Sequence, residues 1–221
     1  MVGEPPTGDA GTPPSGLSRA DFDRAVALLA EGDPKLAAVL DRYGPPPFWT
    51  RDPGFPTLIL LILEQQVSLA SAKAAFDKLA EVLGPPAPEP FLELDDATLR
   101  GCGFSRQKTR YGRALADALV SDRLDLDALA TLDDDGVRQK LTELPGIGPW
   151  TADVYLLMVL RRPDVWPIGD IALRAAARDV LGLDTRPDGP ALERHGEPWR
   201  PWRSVASRIL WHDYLSRRGR S

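Results

Sequence analysis

The stretch Leu144-Pro-Gly-Ile-Gly-Pro-Trp-Thr-Ala-Asp153 holds the first residues in this chain whose spacing implies chemistry. Asp135 to Leu144 carries Val137, Leu141 and Leu144 at helical spacing, and Trp150 to Leu160 is apolar enough for a buried helix. Between them, Pro145-Gly146-Ile147-Gly148-Pro149 cannot continue a helix. Gly146 and Gly148 permit the positive φ of a tight turn, and Pro149 suits the first position of a new helix. The pattern predicts a helix-hairpin-helix whose turn points backbone N–H groups outward at a helix N-terminus. Such a turn is an anion site, and a nucleic-acid phosphate fits it without any basic side chain. A bare Pro-Gly-Ile-Gly is also compatible with an ordinary helix–helix turn, so function depends on what accompanies it.

What accompanies it is Asp170, in Trp166-Pro-Ile-Gly-Asp-Ile-Ala-Leu-Arg174. The hairpin and this carboxylate together resemble the helix-hairpin-helix DNA glycosylase superfamily. Its hairpin reads roughly L-P-G-[IV]-G-x-x-T-A, and its catalytic aspartate stands at the start of the following helix. Three further segments are similar to the family: Leu63-Glu-Gln-Gln-Val-Ser-Leu-Ala70, Gly103-Phe-Ser-Arg-Gln-Lys108, and Pro201-Trp-Arg-Ser204 with Trp211. The resemblance covers most of residues 20–215 and points to the 3-methyladenine DNA glycosylase II branch. It implies an all-α fold, two helical subdomains with a cleft between them. A central bundle is expected over about residues 57–165, and a second layer from about 18–56 and 166–221.

The implied activity is hydrolysis of the N-glycosidic bond of a flipped, alkylated purine in double-stranded DNA. Flipping costs a few kcal/mol of unstacking, least for a weakened pair. An alkylated purine carries positive charge, so its pocket is expected to be aromatic. Trp150 and Trp211 occupy the positions that line it in the family. Asp170 is expected to stabilise the cationic sugar and to orient water; its plain alternative is a helix N-cap, which Asp favours. Gly146, Ile147, Gly148 and Thr151 would hold the DNA backbone, together with Gln65 and Gln66. Gln66 falls where relatives insert a wedge into the gap left by the base, although the best-known bacterial wedge is apolar. Bifunctional relatives have Lys where Trp150 stands, and an indole offers no nucleophilic amine for a Schiff base. The expectation is therefore a monofunctional enzyme without lyase activity.

Two other functions remain open from sequence. One is a glycosylase for uracil, hypoxanthine or a mismatch, since Val154 and Ile171 stand where some relatives have larger polar or aromatic groups. The other is a non-catalytic helix-hairpin-helix protein that binds bent or damaged DNA.

Composition removes several classes. One cysteine, Cys102, excludes an intramolecular disulfide and the four-cysteine iron–sulfur cluster of the endonuclease III branch. His195 and His212 are too few and too far apart for a zinc site. No metal or cofactor is expected, apart from the monovalent cation that family members hold on hairpin carbonyls. The longest apolar run, Leu58 to Leu63, is too short to span a bilayer. The net charge of −5 argues weakly against nucleic acid. It is uneven, however: residues 170–221 carry ten Arg and seven Asp or Glu, a net +3. Local positive potential, rather than a basic whole, is what bending DNA over one face requires. A monomer in the cytoplasm, associated with the nucleoid, is expected.

The supporting elements are helical throughout, with no alternation that marks a strand. Residues 1–17, rich in Gly and Pro, read as a disordered leader. Ser18-Arg-Ala-Asp21 is a capping box, and Asp33-Pro34 opens a second helix closed by Gly44. Phe48-Trp49 either lines a cleft or seals the core. Thr57 to Leu83 is the longest helical pattern, and Glu64-Gln65-Gln66 marks either a break in it or a cleft edge, because buried without partners such a trio is costly. Pro85 to Pro90 stops that helix, Leu94 to Arg100 forms another, and Ser105 caps a helix containing Lys108. Lys108 is read as a phosphate contact or as a lysine on a solvated face, and Asp153 as a helix-surface or capping residue. Ile171 to Leu181 is amphipathic, Leu183 to Pro198 turn-rich, and a terminal helix runs to about Leu215.

Overall fold

The computed structural model describes residues 16–219, and all regular structure among them is helical. The chain divides into two compact units, one formed by Arg51–Tyr155 and the other by the described residues up to Thr50 and from Leu156 onward.

In the first of these, α3 (Phe55–Glu64) is the central element. Leu58, Ile59, Leu61, Ile62 and Leu63 are all buried within it, each contributing about 1.5–3 kcal/mol of hydrophobic stabilisation. It packs on α4 (Leu69–Leu83) and α7 (Arg106–Val120). The expected break at Glu64-Gln65-Gln66 is present: α3 ends at Glu64, Gln65 is extended, and Gln66 turns at φ +59°. Ser68 then caps α4 by accepting the Ser71 N–H at 3.1 Å. The proline-rich run does more than stop a helix, because it starts α5 (Pro88–Glu93). Proline is favourable in a first turn, where no N–H is needed, so a breaker in sequence acts here as an initiator. Next come α6 (Asp96–Gly101), α8 (Leu126–Leu129), α9 (Asp134–Thr142) and α10 (Pro149–Met158).

The second unit is organised on α13 (Arg203–Ser216), which packs against α1 (Arg19–Gly32), α2 (Pro34–Tyr43) and α11 (Ile171–Leu181). Every residue from Arg203 to Asp213 is buried. Polar groups at such depth need partners. Arg208 donates to the carbonyls of Ser204, Trp49 and Leu157 at 2.8–3.1 Å and lies against the rings of Phe22 and Phe48. Burial pushes its pKa down to about 10. Phe48 stacks on Phe22 and Trp49 meets His212 edge-on, so this pair serves the packing of α13. The capping box at Ser18 and the Asp33 cap form as expected.

Two expectations need correction here. Leu17 is not part of a disordered leader: it is buried, and its N–H donates to Arg161 O at 2.8 Å. Residues 1–15 lie outside the described residues. The turn-rich stretch after Leu183 contains α12 (Gly189–Gly196), capped by Asp188, and a 3₁₀ turn at Glu197–Trp199. Local polarity hid a helix whose one buried apolar anchor is Leu192.

Candidate active site and DNA-binding hairpin

The hairpin lies between α9 and α10, with Pro149 opening α10 as its sequence position requires. Gly146 alone adopts a left-handed conformation, at φ +91°. A Cβ there would lie 2.1 Å from Cγ of Tyr111, so only glycine fits between this turn and the Tyr111 ring on α7. Gly148 has no positive φ, contrary to the sequence expectation, and a Cβ there would meet nothing within 4 Å. Its role is therefore openness of the helix entrance, not backbone strain.

Two other hairpin residues face inward. Ile147 is 4% exposed and its N–H donates to Leu144 O at 3.1 Å, so it anchors the turn. Thr151 is 1% exposed, and its hydroxyl accepts from Gln65 Nε2 at 3.1 Å. Both residues were expected to hold the DNA backbone; their side chains are spent on holding the hairpin. Between them Pro149 is exposed, and Gly148 and Trp150 are half-buried.

Gln65 is likewise an internal partner. Its Nε2 donates to Gly146 O at 2.7 Å as well as to Thr151, tying the end of α3 to the hairpin across 81 residues of sequence. Gln66, one residue on, is exposed, flanked by the exposed apolar side chains of Val67 and Leu69. Lys108 is neither on a solvated face nor directed to an external anion. Its Nζ donates to Leu63 O at 2.7 Å, capping the C-terminus of α3, and burial lowers its pKa. Asp153 is 9% exposed instead of lying on a helix surface, and Arg138 Nε donates to its carboxylate at 2.8 Å. Burial alone would lower the Arg138 pKa, but the hydrogen bond and charge of Asp153 raise it. This ion pair braces α9 against α10 on either side of the turn. Tyr111, Arg138 and the true role of Gln65 escape sequence reasoning, because none has a signature at short range.

In the other unit, Asp170 caps α11: its Oδ1 accepts the Leu173 N–H at 2.6 Å. The same oxygen accepts from Trp211 Nε1 on α13 at 3.2 Å. Trp211 is 8% exposed, Asp170 is half-buried, and Ile171 next to it is 66% exposed. A carboxylate at a helix N-terminus, oriented by an indole N–H and beside an exposed apolar side chain, can stabilise a neighbouring cation and hold a water. No group of three or more His, Cys, Asp and Glu among the described residues is arranged to hold a metal ion. Nor is any described helix long and apolar enough to cross a membrane.

A helical chain with a tight glycine hairpin and, at the head of the helix that follows, the Asp170 carboxylate held by an indole N–H has the build of a helix-hairpin-helix protein. Residues 59–201 match the HhH-GPD superfamily base excision DNA repair protein family, and the chain belongs to it. YfjP of Bacillus subtilis is 28% identical over 80% of this chain, which spans 64% of that relative's length. Among solved structures, Schizosaccharomyces pombe 3-methyladenine DNA glycosylase (Mag1) in complex with abasic DNA superposes with a TM-score of 0.76. It is 26% identical, with 86% of this chain and 94% of that chain covered. DNA-3-methyladenine glycosidase from Bacillus halodurans is 30% identical with a TM-score of 0.71, covering 90% and 91% of the two chains.

Proposed function

We propose that this chain is a monofunctional DNA glycosylase that hydrolyses the N-glycosidic bond of flipped alkylated purines, of the 3-methyladenine type, in double-stranded DNA. The observation that carries the proposal is the hydrogen bond from Trp211 Nε1 to Asp170 Oδ1. A protein that only binds DNA needs the hairpin, but has no use for a half-buried carboxylate oriented by an indole. Mag1 and the Bacillus halodurans enzyme are both named for 3-methyladenine, which supports the substrate class.

In the proposed reaction the backbone N–H groups at the Gly148 end of α10 take a phosphate. Gln66, exposed on its left-handed turn, fills the space left by the base. An indole face attracts a cationic purine by about 0.5–2 kcal/mol, and that is the role proposed for Trp150 and for Trp211. As the bond from C1′ to the base nitrogen breaks, its electron pair leaves with the base and positive charge builds on the sugar. Asp170 stabilises that charge and orients the water that attacks C1′, accepting its proton. With Trp150 in the hairpin, water and not an amine is the nucleophile. The proposal includes a monovalent cation on the hairpin carbonyls. Leu144 O already accepts one N–H, from Ile147, and keeps a second lone pair for such an ion. It also includes action as a monomer in the cytoplasm.

The test is chromatography of bases released from methylated duplex DNA. Free 3-methyladenine supports the proposal. Release of uracil or hypoxanthine alone, from DNA carrying those bases, would move the assignment to another lesion. Tight duplex binding with no release from any substrate would leave a non-catalytic binding protein.

A further inference from the structure

We infer that Arg110, held on the Tyr111 ring beside the hairpin, is a second contact to the DNA backbone, binding a phosphate near the one taken by the hairpin N–H groups. The inference rests on the proposal that the chain acts on duplex DNA.

Three observations lead to it. Tyr111 is the ring against which Gly146 closes, since a Cβ at Gly146 would lie 2.1–2.6 Å from its Cγ, Cδ2 and Cβ. The hydroxyl of that ring accepts from Gln107 Nε2 at 2.5 Å, so the side chain is fixed at both ends. The Arg110 guanidinium lies over the same ring, 5.4 Å from its centroid. A planar cation stacked on an aromatic face loses little further freedom when it meets a phosphate, which it can grip with two N–H groups.

Charge and placement together select the position. The unit Arg51–Tyr155 holds 17 Asp and Glu against 11 Lys and Arg. In that acidic setting Arg51, Arg113, Arg123 and Arg138 all pair with carboxylates. Arg110 is exposed and, like Lys78, Arg100 and Arg106, forms no salt bridge with a carboxylate among the described residues; what sets it apart from those three is its place over the ring that the hairpin closes on. Phosphates recur about every 3.4 Å of helix axis along one strand, so a cation one ring away from the hairpin reaches a nearby phosphate of the same backbone.

The experiment is the salt dependence of binding to an undamaged duplex, read by fluorescence anisotropy for the whole chain. For Arg110→Ala, affinity at low salt should fall several-fold. The slope of log K against log salt should become shallower by about 0.9, the loss of one phosphate contact. Arg110→Lys keeps the charge and should keep the slope. Arg123→Ala, which removes an arginine just past the end of α7 that is already paired with Asp117, should leave it unchanged. An Arg110→Ala protein that melts like the parent and keeps the parent's slope overturns the assignment. So does an equal change of slope in the Ala and Lys variants, which would reduce Arg110 to a packing group. A parent protein that shows no salt-dependent duplex binding at all would instead remove the DNA-binding proposal, and this one with it.

Discussion

Trp211 Nε1 and the Leu173 N–H converge on the same atom, Oδ1 of Asp170, at 3.2 and 2.6 Å. The helix cap and the candidate catalytic group are therefore one carboxylate, and the two roles coexist in it. That oxygen is fixed from two directions, which presets the orientation of the whole group.

Asp170→Asn is the direct consequence. Asparagine caps a helix about as well as aspartate, so the stability cost should stay below about 1 kcal/mol. Excision should fall by roughly 10³-fold or more, because no anion remains to meet the cationic sugar. Single-turnover base release and duplex affinity measured side by side check this; an Asn variant that still excises at the parent's rate removes Asp170 from the mechanism.

Trp211→Phe keeps a ring and deletes the donor. Hydrogen bonds to charged groups are worth about 1.5–3 kcal/mol, so excision should drop roughly 10-fold to 100-fold. In an Asp170→Asn background the same change should cost much less, since the two act as one unit. Fully additive losses in the double mutant would show that the indole works independently of the carboxylate.

The two hairpin glycines should separate cleanly. Gly146→Ala forces a Cβ against Tyr111 at a φ of +91°, and should destabilise by about 2–5 kcal/mol from backbone strain and overpacking together. Gly148→Ala meets no atom within 4 Å and should melt close to the parent, yet bind duplex DNA more weakly because its methyl enters the phosphate's space. Thermal melting and anisotropy on both variants decide it; equal melting losses would contradict this division.

Tyr155 is fully buried, its hydroxyl has no hydrogen-bond partner among the described residues, and burial, aided by Asp127, raises its pKa from 10.0 to about 12. The native state thus keeps a proton that the unfolded chain gives up. Its contribution is intact below pH 10 and lost as pH rises through about 12, a fall of about 2–3 kcal/mol. Tyr155→Phe should abolish that alkaline slope and be neutral or stabilising by about 1 kcal/mol at pH 7, since it removes an unpaired buried polar group. Denaturant melts at pH 7 and pH 11 test both parts.

Borohydride trapping on a methylated duplex addresses the nucleophile. With Trp150 in the hairpin no covalent adduct should form, and the abasic product should remain uncleaved. A trapped protein–DNA species would require an amine elsewhere in the chain to attack the sugar.

The helices themselves were largely legible in sequence, because capping and periodicity are local. Ser18, Asp33, Ser68, Ser105 and Asp170 all cap by bonding to N–H groups two or three residues away. The hairpin and the break after Glu64 were equally readable, since glycine, proline and an unsupported polar trio restrict the backbone wherever they occur. Where local cues misled, the cause was a residue with two uses. Prolines 88 and 90, read only as the stop of the helix before them, also lie in the first turn of the next, and Asp188 caps a helix inside a stretch that read as turns.

What a side chain at a recognised position is for was settled only by tertiary packing. Gln65, Ile147 and Thr151 stand at positions that the family resemblance gives to the DNA, but their side chains are engaged inside the protein: Gln65 bonds Gly146 and Thr151, and Ile147 is buried. Tyr111 and Arg138 entered the site from helices whose own sequences give no reason to suspect them. The physical reason is range. Backbone conformation is set by neighbours within about one helical turn, and the sequence displays those directly. The partner of a side chain is whatever group another helix brings within about 3 Å, and that is decided only when the hydrophobic faces close.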